Sequence, residues 1–446
     1  MTALLTDHYE LTMLRTFVAD GLADAPATFE AFARRLPAGR RFGLLAGPGR
    51  LMELLRDFSF AADEIEWLLE RDVIDDATAQ YLAGFRFTGD IRGYREGDLY
   101  LPHSPVLMVD ATLGQGLLLE TLVLSVLNHD TAVSSAAARM VLAARGAGLI
   151  EMGSRRTHER SAVAAARAAY IAGFTTTSNL QAGLDHGIPT AGTAAHAFVL
   201  AYPSEAEAFR AQLRRGSATT LLVDTFDTAE GVRRAIEIGG PTLGAIRIDS
   251  GDLGEEARAA RAALDAAGNT ATRIVATGDL NEHRIHDFVT AGAPIDSFGV
   301  GTELVSGGSH LTPGFVYKLV AIADPATGRM RPVAKQSIDK TSTGGRKTVR
   351  RGLRDGVLVE ERFVIDERTD GSAALEDALR RDGLEPEDPT VGYVVNGQDC
   401  EAPDVHEARE RAEVALTRTL PADAGSLEAG EPCAVAERWT TDDLPK

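Results

Sequence analysis

The sequence has 446 residues, 44% of them hydrophobic and 25% charged, which is enough chain to bury more than one core. Its net charge of −19 argues against a general binder of nucleic acid or of anionic membranes, although a local cluster of arginines can still serve an anionic substrate. Two distant cysteines, Cys400 and Cys433, give neither a zinc spacing nor a disulfide framework, and a reducing cytoplasm is expected.

The first stretch, "MTALLTDHYELTM", lacks the basic and long apolar segments of a secretory leader. Residues 1–115 mix helical pattern with β-like runs such as "FEAFARRLP" and "IRGYREGDLYLP". The most apolar run, "VLMVDATLGQGLLLETLVLSVLNH", is interrupted by Asp110, Gln115 and Glu120, so it reads as a strand and a buried helix rather than a membrane span.

From about residue 149 one theme recurs: a short β-rich run, a polar or glycine-rich turn, and an amphipathic helix. "GLIEMG", "FTTTS", "IPTAGT", "TTLLVD", "LGAIRID", "RIVATGD" and "IDSFGVGT" are the strand candidates, and helical patterns separate them. Such alternation implies parallel βαβ units, and so many in series predict an irregular α/β barrel; an open doubly wound sheet is the alternative. After residue 328 the chain turns basic and glycine-rich, "RMRPVAKQSIDKTSTGGRKTVRRG", then β-like, "VLVEERFVI", and later carries a charged helix, "DVHEARERAEVAL". The expected organisation is an N-terminal α/β segment over 1–115, a barrel core over 116–328, and a C-terminal segment over 329–446 that packs with the first to make a second α/β domain.

In a βα barrel the chemistry lies at the carboxyl ends of the strands. Those ends offer Arg155 and Arg156; Ser178 and Asn179; Thr193 and His196; Asp224; Arg247, Asp249 and Asp252; Gly278 and Asp279; and finally Gly299, Gly301 and Thr302. Glycine in "GVGT" permits backbone N–H groups to approach phosphate. Arg247 and Asp249 lie two apart, so on a strand they share a face; such a pair is either a structural ion pair or a site for a carboxylate. Asp249 and Asp279 can accept from sugar hydroxyls or hold magnesium through its waters. His196 follows three small residues at what reads as a helix start, where a negative group is welcome. Cations for anions and carboxylates for a polyhydroxylated group suit a phosphorylated sugar.

The ordered set "LLTDHYELTM", "FEAFARRLP", "LLETLVLSVLNH", "EMGSRR", "TSN", "AGTAAHAF", "RIDSGDL", "DSFGVGTELV", "FVYKLV" and "GGRK" resembles nicotinate phosphoribosyltransferase, from about residue 4 to about residue 350. The resemblance implies that nicotinate and phosphoribosyl pyrophosphate give nicotinate mononucleotide, with magnesium as cofactor and ATP as co-substrate, and with His196 transiently phosphorylated. It implies that Tyr9 stacks on the pyridine ring from the neighbouring subunit of a homodimer. It also implies that Arg247 holds the nicotinate carboxylate or orders the ring, that Arg155 contacts phosphate, and that Thr193 lies beside nicotinate. Ser178 and Asn179 join the substrate site, Gly278 and Asp279 face the ribose, Gly301 and Thr302 face the 5′-phosphate, and Asp249 stabilises positive charge at the anomeric carbon. Met152 stands where relatives often carry a ring-sandwiching aromatic; a thioether on an aromatic face contributes about 0.3–1.5 kcal/mol. Asn179 stands where nicotinamide-using relatives carry aspartate, which tilts the expectation toward the acid. A nicotinamide or quinolinate phosphoribosyltransferase, and a non-catalytic binder of pyridine nucleotides, are the alternatives.

Overall fold

The computed structural model describes residues 3–214, 216, 219–308, 310–335, 343–365, 371–400, 404–425, 427 and 430–439. Part of the basic stretch after residue 328, namely 336–342, and most of the last residues of the chain lie outside the described residues. The chain forms two compact units, Val133–His310 and a discontinuous one made of Met1–Ala132 with Leu311–Lys446.

The contiguous unit carries six parallel strands: β1 (Gly148–Glu151), β2 (Thr176–Thr177), β3 (Thr220–Leu222), β4 (Ala245–Ile248), β5 (Arg273–Thr277) and β6 (Ser297–Val300). Their order in the sheet is β2-β1-β6-β5-β4-β3. The last strand, β6, pairs with the first, β1, with Ser297 opposite Gly148 and Val300 opposite Glu151. First pairing with last, and every other neighbour in sequence order, is the connectivity of a barrel rather than of a doubly wound sheet. The ring is incomplete between β2 and β3, where the expected strand "IPTAGT" contributes only a bridge from Thr190 to Thr177. Pro189 has no N–H to give a ladder, and Gly192 has no side chain to pack, so the run does not extend as a strand.

Several helices of this unit start where a short polar side chain caps them. Asn179 accepts from Ala182 N, Asp227 from Glu230 N, Asp252 from Gly254 N and Glu255 N, and Asn281 from Arg284 N. A helix that the strand-by-strand reading did not anticipate, Glu205–Leu213, is announced by the same signal, Ser204 accepting from Glu207 N. The Ala-rich helix Glu159–Ala172 buries ten of its residues, since small side chains let it lie close to the sheet, and it ends at Gly173 with φ of 124°.

The discontinuous unit centres on an antiparallel sheet in which Pro26–Ala33 lies between Leu107–Thr112 and Phe315–Ala323. Asp90–Tyr94 and Thr390–Val395 extend it on the far side of Leu107–Thr112, and Met330–Pro332 borders Phe315–Ala323. The apolar core includes Phe29 stacked on Tyr317 at 5.0 Å and the edge-to-face trio Phe58, Phe60 and Phe85. The barrel unit begins inside the helix Glu120–Ala144 rather than at residue 116, and ends at His310 rather than at 328. The reason for the second shift is that "FVYKLVAIA" takes its hydrogen bonds from the N-terminal strand Pro26–Ala33. No helix among the described residues is long and apolar enough to cross a membrane.

Candidate active site

The unit holding both chain ends has a cavity of about 540 Å³ lined by Thr28, Asp110, Arg331 and Arg346, among others. Its acid is already spent: Asp110 accepts from Thr28 Oγ1 at 2.6 Å and pairs with Arg346 Nε at 3.0 Å. The convergent polar groups lie instead at the strand ends of the barrel unit.

At the end of β4, Arg247 and Asp249 do share a face. Arg247 Nη2 donates to Asp249 Oδ1 at 2.5 Å, and Nε donates to Thr277 Oγ1 at 2.8 Å. Nη1 donates to Thr193 Oγ1 at 2.9 Å and to the Ala194 carbonyl at 3.3 Å. A guanidinium has five N–H groups, so four are committed and one on Nη2 remains. That arrangement is better suited to ordering the 193–194 turn than to a two-pronged grip on a carboxylate. Thr277, at the end of β5, also donates to Asp249 Oδ1. The register explains the meeting: Ala276 pairs with Ile248, so the next step of the ladder sets Thr277 beside Asp249.

Asp249 is half-buried. Burial works against its ionisation, but the hydrogen bonds from Thr277 and Arg247, with the nearby charge of Arg247 and His196, outweigh it and hold the carboxyl below its ordinary value. Its Oδ2 is 3.9 Å from His196 Nε2, and the histidine side chain is 43% exposed. His196 is thus not a core residue. It opens the helix His196–Leu200, and its Nδ1 lies 3.2 Å from Thr225 Oγ1. Asp224, buried at the end of β3, accepts from Asp249 N at 2.8 Å and from Ser250 Oγ at 2.7 Å.

The β1 and β6 ends complete the arrangement. Met152 N donates to the Val300 carbonyl at 2.7 Å. A side chain at Gly299 would come within 2.5 Å of Thr277 Cγ2 and 2.8 Å of Met152 Sδ, so glycine here makes room for the Met152 thioether. A Cβ at Gly301 would sit 3.2 Å from the Met152 carbonyl oxygen and 3.9 Å from Arg156 Cγ, which brings the "GVGT" turn next to the arginine pair; both Arg155 and Arg156 are exposed. Arg155 Nη1 donates weakly back to the Met152 carbonyl at 3.4 Å. Glu151 is wholly buried and accepts from Gly153 N and Thr177 Oγ1; burial pushes its carboxyl up, against those hydrogen bonds and Arg155.

Ser178 N donates to the Glu151 carbonyl at 2.8 Å. Asn179 spends its carbonyl on the helix cap and donates from Nδ2 to Ser154 Oγ at 3.0 Å, so its donor side is the one turned away from the helix. Gly278 (φ 117°) and Asp279 (φ 45°) form a left-handed turn after β5, and a Cβ at Gly278 would meet the Asp249 carbonyl at 2.6 Å. Asp279 is exposed, and Thr302, exposed, opens the one-turn helix Thr302–Val305. Asp252 is occupied as a helix cap.

No group of three or more His, Cys, Asp or Glu among the described residues could cage a metal. Asp249 keeps Oδ2 after committing Oδ1, and Asp279 is exposed, so the donor set fits a magnesium ion that retains its waters and arrives on a phosphate, not one held by protein ligands alone. Tyr9 belongs to the other unit, on the helix His8–Ala19. The residue is 44% exposed, and its hydroxyl is pushed up to about 12 by burial and by Glu120, Glu10 and Asp7, so it stays a donor, to Glu120.

Thr277, Thr225 and Glu151 make hydrogen bonds to the candidate residues Asp249, His196 and Ser178, and the strand-end reading missed them. The first two directly neighbour residues it did select, Gly278 and Asp224, and Glu151 sits on a strand whose apolar neighbours mask it.

A family model described as the nicotinate phosphoribosyltransferase (NAPRTase) N-terminal domain matches residues 4–128. Over 439 residues the chain is 50% identical to nicotinate phosphoribosyltransferase pncB1 of Mycobacterium tuberculosis (strain CDC 1551 / Oshkosh), covering 96% of this chain and 93% of that one. It is 38% identical over 358 residues to nicotinate phosphoribosyltransferase of Bacillus subtilis (strain 168), with 78% and 73% covered. Human nicotinic acid phosphoribosyltransferase superposes with a TM-score of 0.77 at 25% identity over 98% of each chain. Nicotinate-nucleotide pyrophosphorylase from Pyrococcus furiosus shares the fold, with a TM-score of 0.74 at 22% identity over 93% of this chain and 95% of that one. Half of all aligned residues are shared with a relative matched over nearly its whole length, and so this chain belongs to the nicotinate phosphoribosyltransferase family.

Proposed function

We propose that the protein transfers the phosphoribosyl group of phosphoribosyl pyrophosphate to nicotinate, giving nicotinate mononucleotide and pyrophosphate, and couples this to ATP through His196. The observation that carries the reading is the half-exposed His196 imidazole set 3.9 Å from Asp249, with Arg247 on the far side of that carboxylate.

In the transfer, the bond from the anomeric carbon to the pyrophosphate oxygen breaks and its electron pair leaves with pyrophosphate. The pyridine nitrogen then supplies the pair for the new bond. Asp249, kept ionised by Thr277 and Arg247, stabilises the positive charge that develops on the sugar. Gly278 and Asp279 take the ribose hydroxyls, while Arg155, Gly301 and Thr302 take the 5′-phosphate. Ser178 lines the nicotinate side with Thr193 and Asn179. Asn179 offers N–H rather than oxygen, which favours a carboxylate over an amide. Arg247 acts mainly by fixing Thr193 and Asp249, with its remaining N–H toward nicotinate. Magnesium, when bound, neutralises the pyrophosphate, and Asp249 and Asp279 would hold its waters.

For coupling, a ring nitrogen of His196 attacks the terminal phosphorus of ATP, ADP leaves with the bridging oxygen, and water later cleaves the N–P bond to release phosphate. Tyr9 presents its ring to the active site of a second copy in a homodimer; its exposure supports this, as its hydroxyl is already tied to Glu120. Two unpaired cysteines support a cytoplasmic setting.

The test is nicotinate mononucleotide formation by the purified protein, with and without ATP, against nicotinamide and quinolinate as competitors. His196→Ala is expected to lose ATPase activity and ATP stimulation while keeping slow ATP-independent transfer. Full ATP coupling in that variant removes His196 from the phosphoryl step, and absence of pyrophosphate release from the wild type removes the function.

A further inference from the structure

We propose that Thr225, anchored by its neighbour Asp224, is the positioning residue that passes the state of His196 to Asp249 and so ties ATP hydrolysis to phosphoribosyl transfer. The inference rests on the reading of His196 as the phosphoryl acceptor.

Four residues close a ring. His196 Nδ1 faces Thr225 Oγ1 at 3.2 Å. Thr225 follows Asp224 in the chain, and Asp224 Oδ2 receives both Asp249 N at 2.8 Å and Ser250 Oγ at 2.7 Å. Asp249 Oδ2 returns to His196 Nε2 at 3.9 Å. The amide of Asp249 is therefore held through Asp224, and the carboxylate oxygen that Arg247 and Thr277 leave free faces the same imidazole.

A phosphoryl group brings about two negative charges and several acceptor oxygens. On Nε2 it faces the Asp249 carboxylate and repels it; on Nδ1 it takes the place of the Thr225 hydroxyl. Either way one member of the ring must move. Thr225 Oγ1 makes no other hydrogen bond among the described residues, so nothing else fixes that hydroxyl. Asp224 is 8% exposed, and its Oδ1 has no hydrogen-bond partner among the described residues. A buried carboxylate oxygen without a donor is costly, so Asp224 has a partner to gain if the turn after β3 shifts. A shift of that turn is delivered through Asp224 Oδ2 to the amide of Asp249. The ring is thus a bistable element of four groups rather than a static cluster, with one arrangement for bare and one for phosphorylated histidine.

The experiment measures ATP hydrolysed and nicotinate mononucleotide formed in the same reaction for the wild type, Thr225→Val, Thr225→Ala and Thr225→Ser. Valine keeps the shape and loses the hydroxyl; alanine repeats the loss should valine fold poorly. Both are expected to keep hydrolysing ATP while product formed per ATP falls at least about fivefold, the lower end of an ordinary coupling energy. Serine, which restores a hydroxyl, is expected to restore the ratio. A wild-type ratio in valine and alanine variants overturns the inference. His196→Ala measured alongside separates the two ideas: if it retains ATPase activity, the phosphoryl-acceptor reading falls, whereas loss of ATPase there with an unchanged ratio in Thr225→Val removes Thr225 alone.

Discussion

Two arginines in this protein each sit among carboxylates, and they do different work. Arg351, in the unit that joins both chain ends, is 1% exposed. Its Nε donates to Glu361 Oε1 at 3.0 Å, Nη2 donates to the Leu99 carbonyl, and Nη1 is 3.5 Å from Asp98. Glu361 in turn receives Tyr94 Oη at 2.9 Å and Ser104 Oγ. Burial opposes the Arg351 charge, yet Asp98 and Glu361 outweigh it and push the pKa up. Arg247 makes four hydrogen bonds, but its acid Asp249 is 31% exposed and keeps one oxygen facing a half-exposed histidine. A buried network holds strands together; a partly exposed one, with an oxygen facing an exposed side chain, can meet a ligand. The sequence separation of the pair does not tell these cases apart, whereas exposure does.

The comparison can be broken most forcefully at Arg351. Arg351→Ala strands two buried acids and is expected to destabilise the protein by about 3–5 kcal/mol in urea unfolding. Arg247→Ala is expected to cost less stability than that while lowering kcat/KM for nicotinate by about 10²–10³-fold, the range seen when a charge-stabilising donor is removed. Similar stability losses with unchanged kinetics in both would erase the distinction.

A finer probe is Thr277→Val. Removing its donated hydrogen bond raises the Asp249 pKa, so the acid limb of the rate profile moves to higher pH. The direction follows because Asp249 is held below its ordinary value: its contribution is present above the unfolded pKa and lost as pH falls through the folded one. A limb that stays put, or moves down, detaches Asp249 from the profile.

The smallest effect concerns a buried acid outside both clusters. Glu10 is wholly buried, accepts from Thr121 N at 3.0 Å, and is pushed up to about 7 by burial against its hydrogen bonds. Its folded pKa exceeds the unfolded 4.5, so the folded state binds the extra proton and stability falls as pH rises from 4.5 to about 7. Glu10→Gln is expected to flatten that decline, read as urea midpoints across the interval.

Much of the barrel was legible because its strands are short apolar runs separated from helical patterns by polar or glycine-rich turns; in the structure Asn179, Asp227, Asp252 and Asn281 cap the helices that follow. The convergence of His196, Arg247 and Asp249 followed from strand ends sharing one rim. What could not be read was lateral. That Thr277 meets Asp249 depends on the β4–β5 register, and that Thr225 meets His196 depends on where the barrel ring is left open. The end of the barrel unit was hidden for the same reason, since "FVYKLVAIA" looks like any strand until its partner is known. Asp252, a strand-end carboxylate, spends its Oδ1 on a helix start, which only the structure shows.

The central strand Pro26–Ala33 finds one neighbour in Leu107–Thr112 but must wait for Phe315–Ala323 to find the other. During synthesis its second edge therefore stays bare until two thirds of the chain has left the ribosome, whereas Val133–His310 emerges as one uninterrupted piece. The inserted barrel can settle first, and the sheet that embraces it in sequence closes last, which makes the waiting edge the point where chaperones have most to protect.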